Sequence, residues 1–355
     1  MKSLIFGYGI TGQSFDRYLT KRGLEFDIYD NNTLEHNNSF NSLPDKSKLQ
    51  SYEMIYLSPG INLKKLYPDA EFNNIEYKTD VDIFFEGNKS FKIGITGTNG
   101  KSTCCMHLSQ LLEGSQILGN FGRPLLDAID SKHAYSIIEL SSFQLEKMKS
   151  NHLDFGVLLN ISPDHIDHHG NLENYITAKQ RILKSKCSTT ESNPFLLFKE
   201  ITGNTYLGDI QPKDLLNLPH RLEKLQLNNE VAIINDSKST NTNSLKYAIE
   251  SLSGDSCHHL IVMGDPDKER YNFIELEGPK NIYICGKHAD ELEKKISHQN
   301  KYTFQSLEDA LKFIKTLSGN LEILFSPGHP SGQDYKNFEV RGDHFVHLSK
   351  EILDD

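Results

Sequence analysis

Short apolar runs alternate along this chain with longer stretches in which apolar and polar residues are mixed. Continuous apolar runs of this length are typical of strands buried on both faces of a sheet, and the mixed stretches are long enough for the helices that would cover it. The pattern therefore predicts an α/β fold with mainly parallel sheets. The predicted strands are Ser3–Phe6, Phe26–Asp30, Met54–Leu57, Tyr135–Leu140, Phe155–Asn160, Val231–Asn235, Leu260–Met263, Asn281–Cys285 and Glu322–Phe325, and the predicted helices are Gln13–Lys21, Met106–Leu112, Asn174–Leu183, Ser244–Leu252 and Leu307–Leu317.

The alternation continues over three successive parts of the chain. With 355 residues, the chain exceeds the usual size of a single hydrophobic core. We therefore expect three α/β domains, at residues 1–87, 88–217 and 218–355. The Asn-rich residues 31–50 are predicted to contain a surface loop.

Residues 94–103 have the sequence GITGTNGKST and lie between a strand-like and a helix-like segment. Glycines let a loop curl so that its N–H groups face an anion, and the following helix adds its positive N-terminal dipole. Lys101 would supply a mobile charge for the outer phosphates of a nucleotide, and Ser102 or Thr103 would offer a hydroxyl to Mg²⁺. Residue 95 is isoleucine where the Walker A motif has glycine, so this is a variant phosphate-binding loop.

A second glycine-rich turn, GYGITG, begins at residue 7 and follows the first predicted strand. Asp30 ends the next strand, which completes the pattern of a dinucleotide-binding turn. The pattern alone is weak, because a UDP-sugar would place its diphosphate on the same helix N-terminus as a nicotinamide or flavin dinucleotide. Both interpretations remain open on this motif.

Three further features are candidates for chemistry, each with a simpler alternative. Glu139 ends an apolar strand, where it would be either a Mg²⁺ ligand or a cap for the next helix. Residues 160–169 are rich in His and Asp, and His165 is the best candidate among them because it follows a strand end. Pattern alone interprets Lys179 as a helix lysine whose charged end reaches solvent.

Composition and charge exclude several classes of protein. The formal net charge of −10 argues against recognition of a nucleic acid through bulk charge. The five cysteines include no C-x-x-C pair, so neither a zinc site nor a disulfide scaffold is expected. No stretch approaches the ~18 apolar residues that a membrane-spanning helix needs. We expect a cytoplasmic protein with neither a membrane nor a nucleic-acid partner.

Taken together, these motifs resemble the Mur ligases, the ATP-dependent amide-forming enzymes of peptidoglycan precursor synthesis. The similarity is greatest to the branch that adds D-glutamate to UDP-N-acetylmuramoyl-L-alanine. The matching runs are GYGITG from residue 7, SPGI from 58, GITGTNGKST from 94, GNFGRPL from 119, IELSSFQLE from 138, LNISPDHIDHHG from 159, TAKQRI from 177, LPHRLE from 218, INDSKSTN from 234 and SPGHPSGQDYKNFEVRGDHF from 326. The resemblance implies a Rossmann-like UDP-binding domain, a central P-loop ATPase domain and a Rossmann-like C-terminal domain, in a protein that we expect to be a monomer.

The resemblance also implies roles for individual residues. Gly97, Thr98, Asn99, Gly100, Lys101, Ser102 and Thr103 would hold the phosphates of MgATP, with His220, Arg221, Asp236 and Lys238 reaching the nucleotide from the third domain. Ile10, Thr11, Asp30, Asn31 and Gly60 would hold UDP, Asn120 and Ser141 would contact the sugar-peptide, and Thr240, Lys268, Ser331 and Phe338 would surround D-glutamate. Lys101, Glu139, His165 and Lys179 would be catalytic, and Ser102, Glu139, His165 and Lys179 would hold two Mg²⁺ ions. Lys179 matches the family lysine that is carbamylated, a change that converts a cation into an oxygen ligand.

Three departures from the family pattern affect the finer expectations. The interval between Lys179 and Leu218 is short, and the family's G-x-H-N-x-x-N segment, which contributes adenine contacts, has no counterpart in it. Gln333 stands where this branch usually has aspartate, and Gly264-Asp265 replaces a Gly-Gly pair. One alternative is another amide ligase of the family, such as a folylpolyglutamate synthase or a ligase that adds a different amino acid. The other is a nucleotide-binding protein that has lost ligase activity.

Overall fold

The computed structural model of the protein describes residues 2–68, 76–252, 259–266 and 273–354. The chain divides into two compact units: unit 1 comprises residues 1–215, and unit 2 comprises residues 216–355. Nearly all strands pair in parallel, so the predicted α/β fold with mainly parallel sheets is confirmed. No helix within the described ranges is long and apolar enough to cross a lipid bilayer.

The first sheet of unit 1 consists of five parallel strands in the order β3-β2-β1-β4-β5. Its strands are β1 (Ser3–Phe6), β2 (Phe26–Tyr29), β3 (Ser39–Phe40), β4 (Ile55–Leu57) and β5 (Tyr77–Lys78), and its helices are α1 (Ile10–Lys21), α2 (Lys46–Gln50), α3 (Leu63–Leu66) and α4 (Asp80–Gly87). The predicted loop segment 31–50 therefore contains a short strand and a short helix. Helix α1 buries Phe15 and Leu19, which lie one turn apart on the same face.

The second sheet of unit 1 also has five parallel strands, in the order β10-β9-β6-β8-β7. Its strands are β6 (Phe91–Thr96), β7 (Ser115–Gly119), β8 (Tyr135–Glu139), β9 (Phe155–Leu158) and β10 (Cys187–Thr189), and its helices are α5 (Lys101–Leu111), α6 (Ser142–Lys147), α7 (Ile166–His169), α8 (Leu172–Gln180) and α9 (Pro194–Thr202). Strand β6 lies in the centre, between β8 and β9. Because all strands are parallel, the segments that follow β6, β8 and β9 meet at one edge of the sheet.

One hydrophobic core joins the two sheets of unit 1. It contains Ile5 and Phe15 from the first sheet and its helix, Phe84 from α4, and Leu118 and Ile138 from the second sheet, all of them fully buried. Polar contacts reinforce this junction. Asp127 accepts hydrogen bonds from Ser14 Oγ at 2.9 Å and from Arg17 Nη2 at 2.6 Å. The core is therefore continuous across residue 87.

Unit 2 is built on a six-stranded sheet in the order β11-β12-β18-β13-β15-β17, in which only β11 is antiparallel among the described strands. Its strands are β11 (Glu223–Gln226), β12 (Val231–Asn235), β13 (His259–Met263), β15 (Asn281–Cys285), β17 (Lys301–Phe304) and β18 (Leu321–Gly328), with a separate pair β14 (Ile274–Glu275) and β16 (Ile296–Ser297). Its helices are α10 (Thr242–Ser251), α11 (Ala289–Lys295), α12 (Leu307–Lys315) and α13 (Phe338–Leu353). Separate hydrophobic clusters pack on the two faces of the sheet.

Some of the elements that sequence patterns did not predict have a polar or mixed sequence, for identifiable reasons. Strands β10, β11 and β17 lie at sheet edges, where at least one face is exposed, so they lack continuous apolar runs. Helix α13 buries Arg341, Gly342 and Ser349 beside Phe345 and Leu348, and these polar and small residues obscure the apolar stripe.

Gly94, in the central strand β6, provides a test of packing. A Cβ atom at this position would lie 2.4 Å from Leu153 Cδ1 and 3.3 Å from Ile182 Cδ1. We expect Gly94→Ala to lower the free energy of unfolding by about 1–3 kcal/mol because the buried neighbours must shift. Urea denaturation measures the change. The matched control is Gly9→Ala, where φ is −68° and no heavy atom other than those of its chain neighbours lies within 4 Å of the added Cβ. Equal unfolding free energies for the two variants would show that the buried neighbours of Gly94 tolerate the methyl group.

Candidate active site

The glycine-rich loop after β6 has the backbone of a phosphate-binding loop. Gly100 precedes α5 with φ +80°, a left-handed conformation that favours glycine. The Lys101 ammonium group donates to the carbonyl oxygens of Gly97 and Thr98, both at 2.9 Å. The loop, the lysine and the N-terminus of α5 are therefore brought together as the sequence motif predicts, with Ser102 buried and Thr103 half-buried in the first turn of the helix.

The segment that follows β9 fixes the shape of this loop. The Asn160 amide accepts from Asn99 N at 2.9 Å and donates to Asn99 O at 3.1 Å. Thr98 Oγ1 accepts from Ser162 N at 3.0 Å and lies 2.9 Å from the Tyr175 hydroxyl. Burial raises the pKa of Tyr175 to about 12, so its phenol stays protonated near neutral pH.

Glu139 is buried at the carboxyl end of β8, and both of its side-chain oxygens have partners. Oε2 accepts from Ser102 Oγ at 2.6 Å, and Oε1 accepts from Asn120 Nδ2 at 2.7 Å. The helix that follows, α6, is capped by Ser141 and Gln144. Glu139 therefore does not act as the helix cap, which was the simpler of its two interpretations.

Lys179 is 2% exposed, and its ammonium group donates to Gly97 O at 2.7 Å. The prediction from pattern alone, that this lysine extends to solvent, is wrong because α8 packs this face against the phosphate-binding loop. Burial lowers the pKa of Lys179 to about 7, and Lys101 contributes a smaller lowering. A substantial fraction of the amine is therefore neutral near pH 7.

His165 lies directly before α7 with φ +50°, a strained conformation for a residue with a side chain. Its ring packs against Phe143, with centroids 4.9 Å apart, and its side chain is 46% exposed. Partial burial lowers the pKa of His165, and the carboxylates of Asp164 and Asp167 oppose this shift. Lys179 and Lys101 contribute smaller lowerings. His165 thus shares the electrostatic environment of the two lysines.

The glycine-rich turn at residue 7 is held by backbone packing. A Cβ on Gly12 would lie 2.1 Å from Gly7 O, and Ser58 Oγ donates to the same carbonyl oxygen at 2.7 Å. Asp30 accepts from Tyr8 N at 2.7 Å and from Asn32 N at 2.9 Å, so its carboxylate shapes the turn. The other residues expected to hold UDP flank this turn: Ile10, Asn31 and Gly60 are exposed, and Thr11 is half-buried.

In unit 2, the predicted nucleotide and amino-acid residues lie around the ends of β12 and β18. Asp236 accepts from Ser326 Oγ at 2.8 Å, and burial raises its pKa to about 7. Lys238 Nζ lies 3.8 Å from the centroid of the Phe338 ring. The remaining predicted residues are His220, buried and hydrogen-bonded to Asn235, the half-buried Arg221 and Thr240, and the buried Ser331. Lys268 is outside the described residues.

Sequence reasoning missed Arg341, which is fully buried. Its guanidinium donates to His329 O at 2.9 Å, to Ser237 O at 2.7 Å and to Ser237 Oγ at 3.1 Å. It thereby joins the segments after β12 and β18. One sequence signal could have indicated that Arg341 is buried. It lies four residues before Phe345, so both side chains are on the same face of α13.

Comparisons with known proteins agree with these motifs. Residues 95–193 match the Mur ligase middle domain. A UDP-N-acetylmuramoylalanine–D-glutamate ligase of Rickettsia felis is 30% identical over 98% of this chain and 96% of that protein. The chain belongs to the Mur ligase family. A relative with the same name from Buchnera aphidicola of Schizaphis graminum is 29% identical over 99% of this chain and 98% of its own length.

Solved structures of Mur ligases share the fold. MurF from Thermotoga maritima, in complex with ADP, has a TM-score of 0.56 at 16% identity and covers 99% of this chain and 94% of that one. MurF from Acinetobacter baumannii has the same TM-score at 14% identity, and the match covers 99% of this chain and 90% of that one. The alignment with the Rickettsia ligase runs over 437 residues against the 355 of this chain, so that Mur ligase has segments that this chain lacks.

The lowered pKa of Lys179 has a measurable linkage to stability. The pKa of Lys179 is about 7 in the folded protein and has the ordinary value of 10.5 in the unfolded chain. Between these two pH values, the unfolded chain binds a proton at Lys179 that the folded chain does not. Rising pH therefore stabilises the folded wild type over this range. Lys179→Met removes this linkage. We expect the unfolding free energy of the variant, minus that of the wild type, to decrease between pH 7 and pH 9.5 in bicarbonate-free buffer.

Lys186→Met is the matched control, because Lys186 is exposed and its ion pair with Asp154 raises its pKa. It should show no such decrease over this range. A constant difference for Lys179→Met would mean that the folded protein keeps this amine protonated.

Proposed function

We propose that the protein is an ATP-dependent ligase that adds D-glutamate to UDP-N-acetylmuramoyl-L-alanine in peptidoglycan precursor synthesis. The observation that carries the proposal is the convergence of Lys101 and Lys179 on Gly97, beside the Ser102–Glu139 pair. Whole-length relatives named as D-glutamate ligases support the substrate assignment. We further propose that residues 1–87, 88–217 and 218–355 act as domains of a cytoplasmic monomer.

ATP would bind with its phosphates on the loop from Gly97 to Thr103. Ser102 and Glu139 supply the oxygen donors that Mg²⁺ prefers, and these donors are already adjacent. When bound, Mg²⁺ would offset the negative charge that develops during phosphoryl transfer. His165 and Lys179 would complete the set of metal ligands.

The reaction needs two steps, because a carboxylate is a poor electrophile. An oxygen of the L-alanine carboxylate attacks the γ-phosphorus of ATP, the bond to the bridging oxygen breaks, and ADP leaves. The neutral amine of D-glutamate then attacks the acyl carbon, phosphate departs with the electrons of the carbon–oxygen bond, and the amine loses a proton. Lys101 would stabilise the charge on the transferred phosphoryl group through its mobile ammonium.

The remaining assignments extend this scheme over both units. Ile10, Thr11, Asp30, Asn31 and Gly60 would hold UDP, and Asn120 and Ser141 would contact the sugar-peptide. His220, Arg221, Asp236 and Lys238 would contribute to nucleotide binding, and Thr240, Lys268, Ser331 and Phe338 would bind D-glutamate. The hydrogen bonds of the glycine-rich turn support the proposed UDP-binding residues. They fix the exposed N-terminus of α1, and a helix N-terminus is a favourable position for a diphosphate.

We also propose that Lys179 is carbamylated in the active enzyme. Carbamylation requires a neutral amine that attacks CO₂ and loses a proton, and a pKa of about 7 makes that amine available. The resulting carbamate would carry a negative charge beside Lys101, which replaces repulsion between two cations with attraction. It would also provide the oxygen ligand that an ammonium group cannot.

The proposed function predicts strict substrate dependence. Phosphate release from ATP should require both UDP-N-acetylmuramoyl-L-alanine and D-glutamate, with much lower rates for L-glutamate, D-aspartate, L-lysine and meso-diaminopimelate. A coupled phosphate assay together with mass spectrometry of the product measures this. Equal rates with L-lysine or meso-diaminopimelate would assign the chain to another ligase, and no turnover with any amino acid would leave a nucleotide-binding protein.

Lys101→Ala in the same assay tests the role of the loop. The turnover number should fall by about 10²-fold or more, because charge stabilisation in the transition state is lost. Lys186→Ala is the control, since Lys186 is an exposed lysine of the same unit and should leave turnover unchanged. A turnover number for Lys101→Ala close to that of the control would contradict the ATPase assignment.

Carbamylation predicts chemical rescue. Lys179→Ala should be inactive and should regain part of its turnover with acetate or another short carboxylate, which can place an oxygen anion where the carbamate would lie. Lys101→Ala should gain nothing from acetate, because it lacks a cation. A similar response of both variants to acetate would argue against a carbamate at Lys179.

A further inference from the structure

A second cluster of metal-ligating side chains does not include Lys101, Glu139, His165 or Lys179. It consists of Glu146, His168 and His169. Each offers one donor atom, and the three atoms lie within 4.8 Å of one another. Glu146 Oε2 and His168 Nε2 are 3.0 Å apart. Glu146 lies on α6 and the two histidines on α7, so the cluster bridges two helices.

His169 has an unused donor atom in the interior. The residue is 5% exposed, and its Nε2 lies 3.0 Å from Ser142 Oγ. Its Nδ1 is buried and, within the described structure, has no hydrogen-bond partner. If Nε2 carries the proton and donates to Ser142, Nδ1 has a free lone pair. Metal-bound histidines are commonly held in this way, with the second ring nitrogen donating to a fixed acceptor.

The cluster has different neighbours from Glu139. Glu139 contacts Ser102 and Asn120 at the phosphate-binding loop. The cluster instead surrounds Phe143, whose ring centroid lies 4.1 Å from that of His168 and 5.6 Å from that of His169. The backbone carbonyl of His168 accepts from Asn62 Nδ2 at 3.0 Å, which ties the cluster to the first sheet's side of the unit.

We propose that this cluster binds a divalent transition-metal cation of the Zn²⁺ type through Glu146 Oε2, His168 Nε2 and His169 Nδ1. Imidazole nitrogen and one carboxylate are a donor set that Zn²⁺ accepts and that Mg²⁺ does not favour. Ligand bonds of ~2.0–2.1 Å place neighbouring donors of a tetrahedral site about 3.3 Å apart. The Glu146–His168 separation of 3.0 Å is close to this value, and all three donor atoms already lie within 4.8 Å of one another. Water would complete the coordination.

A bound cation would fix two segments relative to each other. Helix α6 follows Ser141, and α7 follows His165, both of which belong to the proposed reaction centre. One charge opposes binding: Lys147 Nζ lies 3.9 Å from the Glu146 carboxylate while it donates to Pro59 O at 2.6 Å. The site should therefore bind the cation reversibly, and neutralising Lys147 should strengthen binding.

Titration of the whole protein with Co²⁺, in the presence of excess Mg²⁺, tests the proposal through the visible absorption of four-coordinate Co²⁺. We expect one equivalent to bind with this spectrum and Zn²⁺ to displace it. Glu146→Gln and His168→Ala should each weaken Co²⁺ binding by about 10-fold or more, since loss of a ligand should exceed the effect of losing an outer contact. Lys147→Gln should tighten binding, because glutamine carries no positive charge that would repel the cation.

Glu139→Gln is the matched control and should retain the Co²⁺ spectrum, because it changes only the proposed Mg²⁺ site. Circular dichroism establishes that each variant is folded, and the exposed position of Glu146 makes its variant the safest for folding. Absence of the four-coordinate spectrum in the folded wild type would overturn the proposal. So would equal Co²⁺ affinities for the wild type, Glu146→Gln and His168→Ala, or loss of the spectrum in Glu139→Gln.

Discussion

The carbonyl oxygen of Gly97 is the point at which the candidate site is assembled. It accepts a hydrogen bond from Lys101 at 2.9 Å and another from Lys179 at 2.7 Å. Two amines that share one acceptor repel each other when both are charged, and the buried one is then the easier to deprotonate. One backbone oxygen atom thus holds the two lysines close together. Burial is the main cause of the lowered pKa of Lys179, and the proximity of Lys101 adds to it.

Strand order explains why such distant residues meet. Strand β6 lies between β8 and β9, so the loop after β6 is flanked by Glu139 on one side and Asn160 on the other. The continuous core that includes Phe84 and Ile138 fixes the first sheet against the second. The proposed UDP turn and the phosphate-binding loop are therefore parts of one packed body.

The sequence predicted the fold well where strands were buried on both faces, because apolar runs are then continuous. It predicted the phosphate-binding loop for a similar reason: Gly100 and Lys101 are required by local backbone geometry and local charge. The burial of Lys179 could not be predicted from the sequence pattern, since a lysine on a helix usually reaches solvent. Its burial here depends on the packing of α8 against the loop after β6. Arg341 was hidden for the same reason, because its three acceptors come from segments that are distant in sequence.

The Ser102–Glu139 pair has a further consequence. Its two oxygen atoms are 2.6 Å apart before any ligand is considered, close to the edge of ~2.9 Å that adjacent ligands span in an octahedron with Mg²⁺–oxygen distances of about 2.0–2.1 Å. At this proposed site, Ser102 would turn its hydroxyl proton away from Glu139, so that both oxygen atoms could face the cation. A single hydrogen bond between a helix and a strand thus holds the two proposed Mg²⁺ ligands side by side.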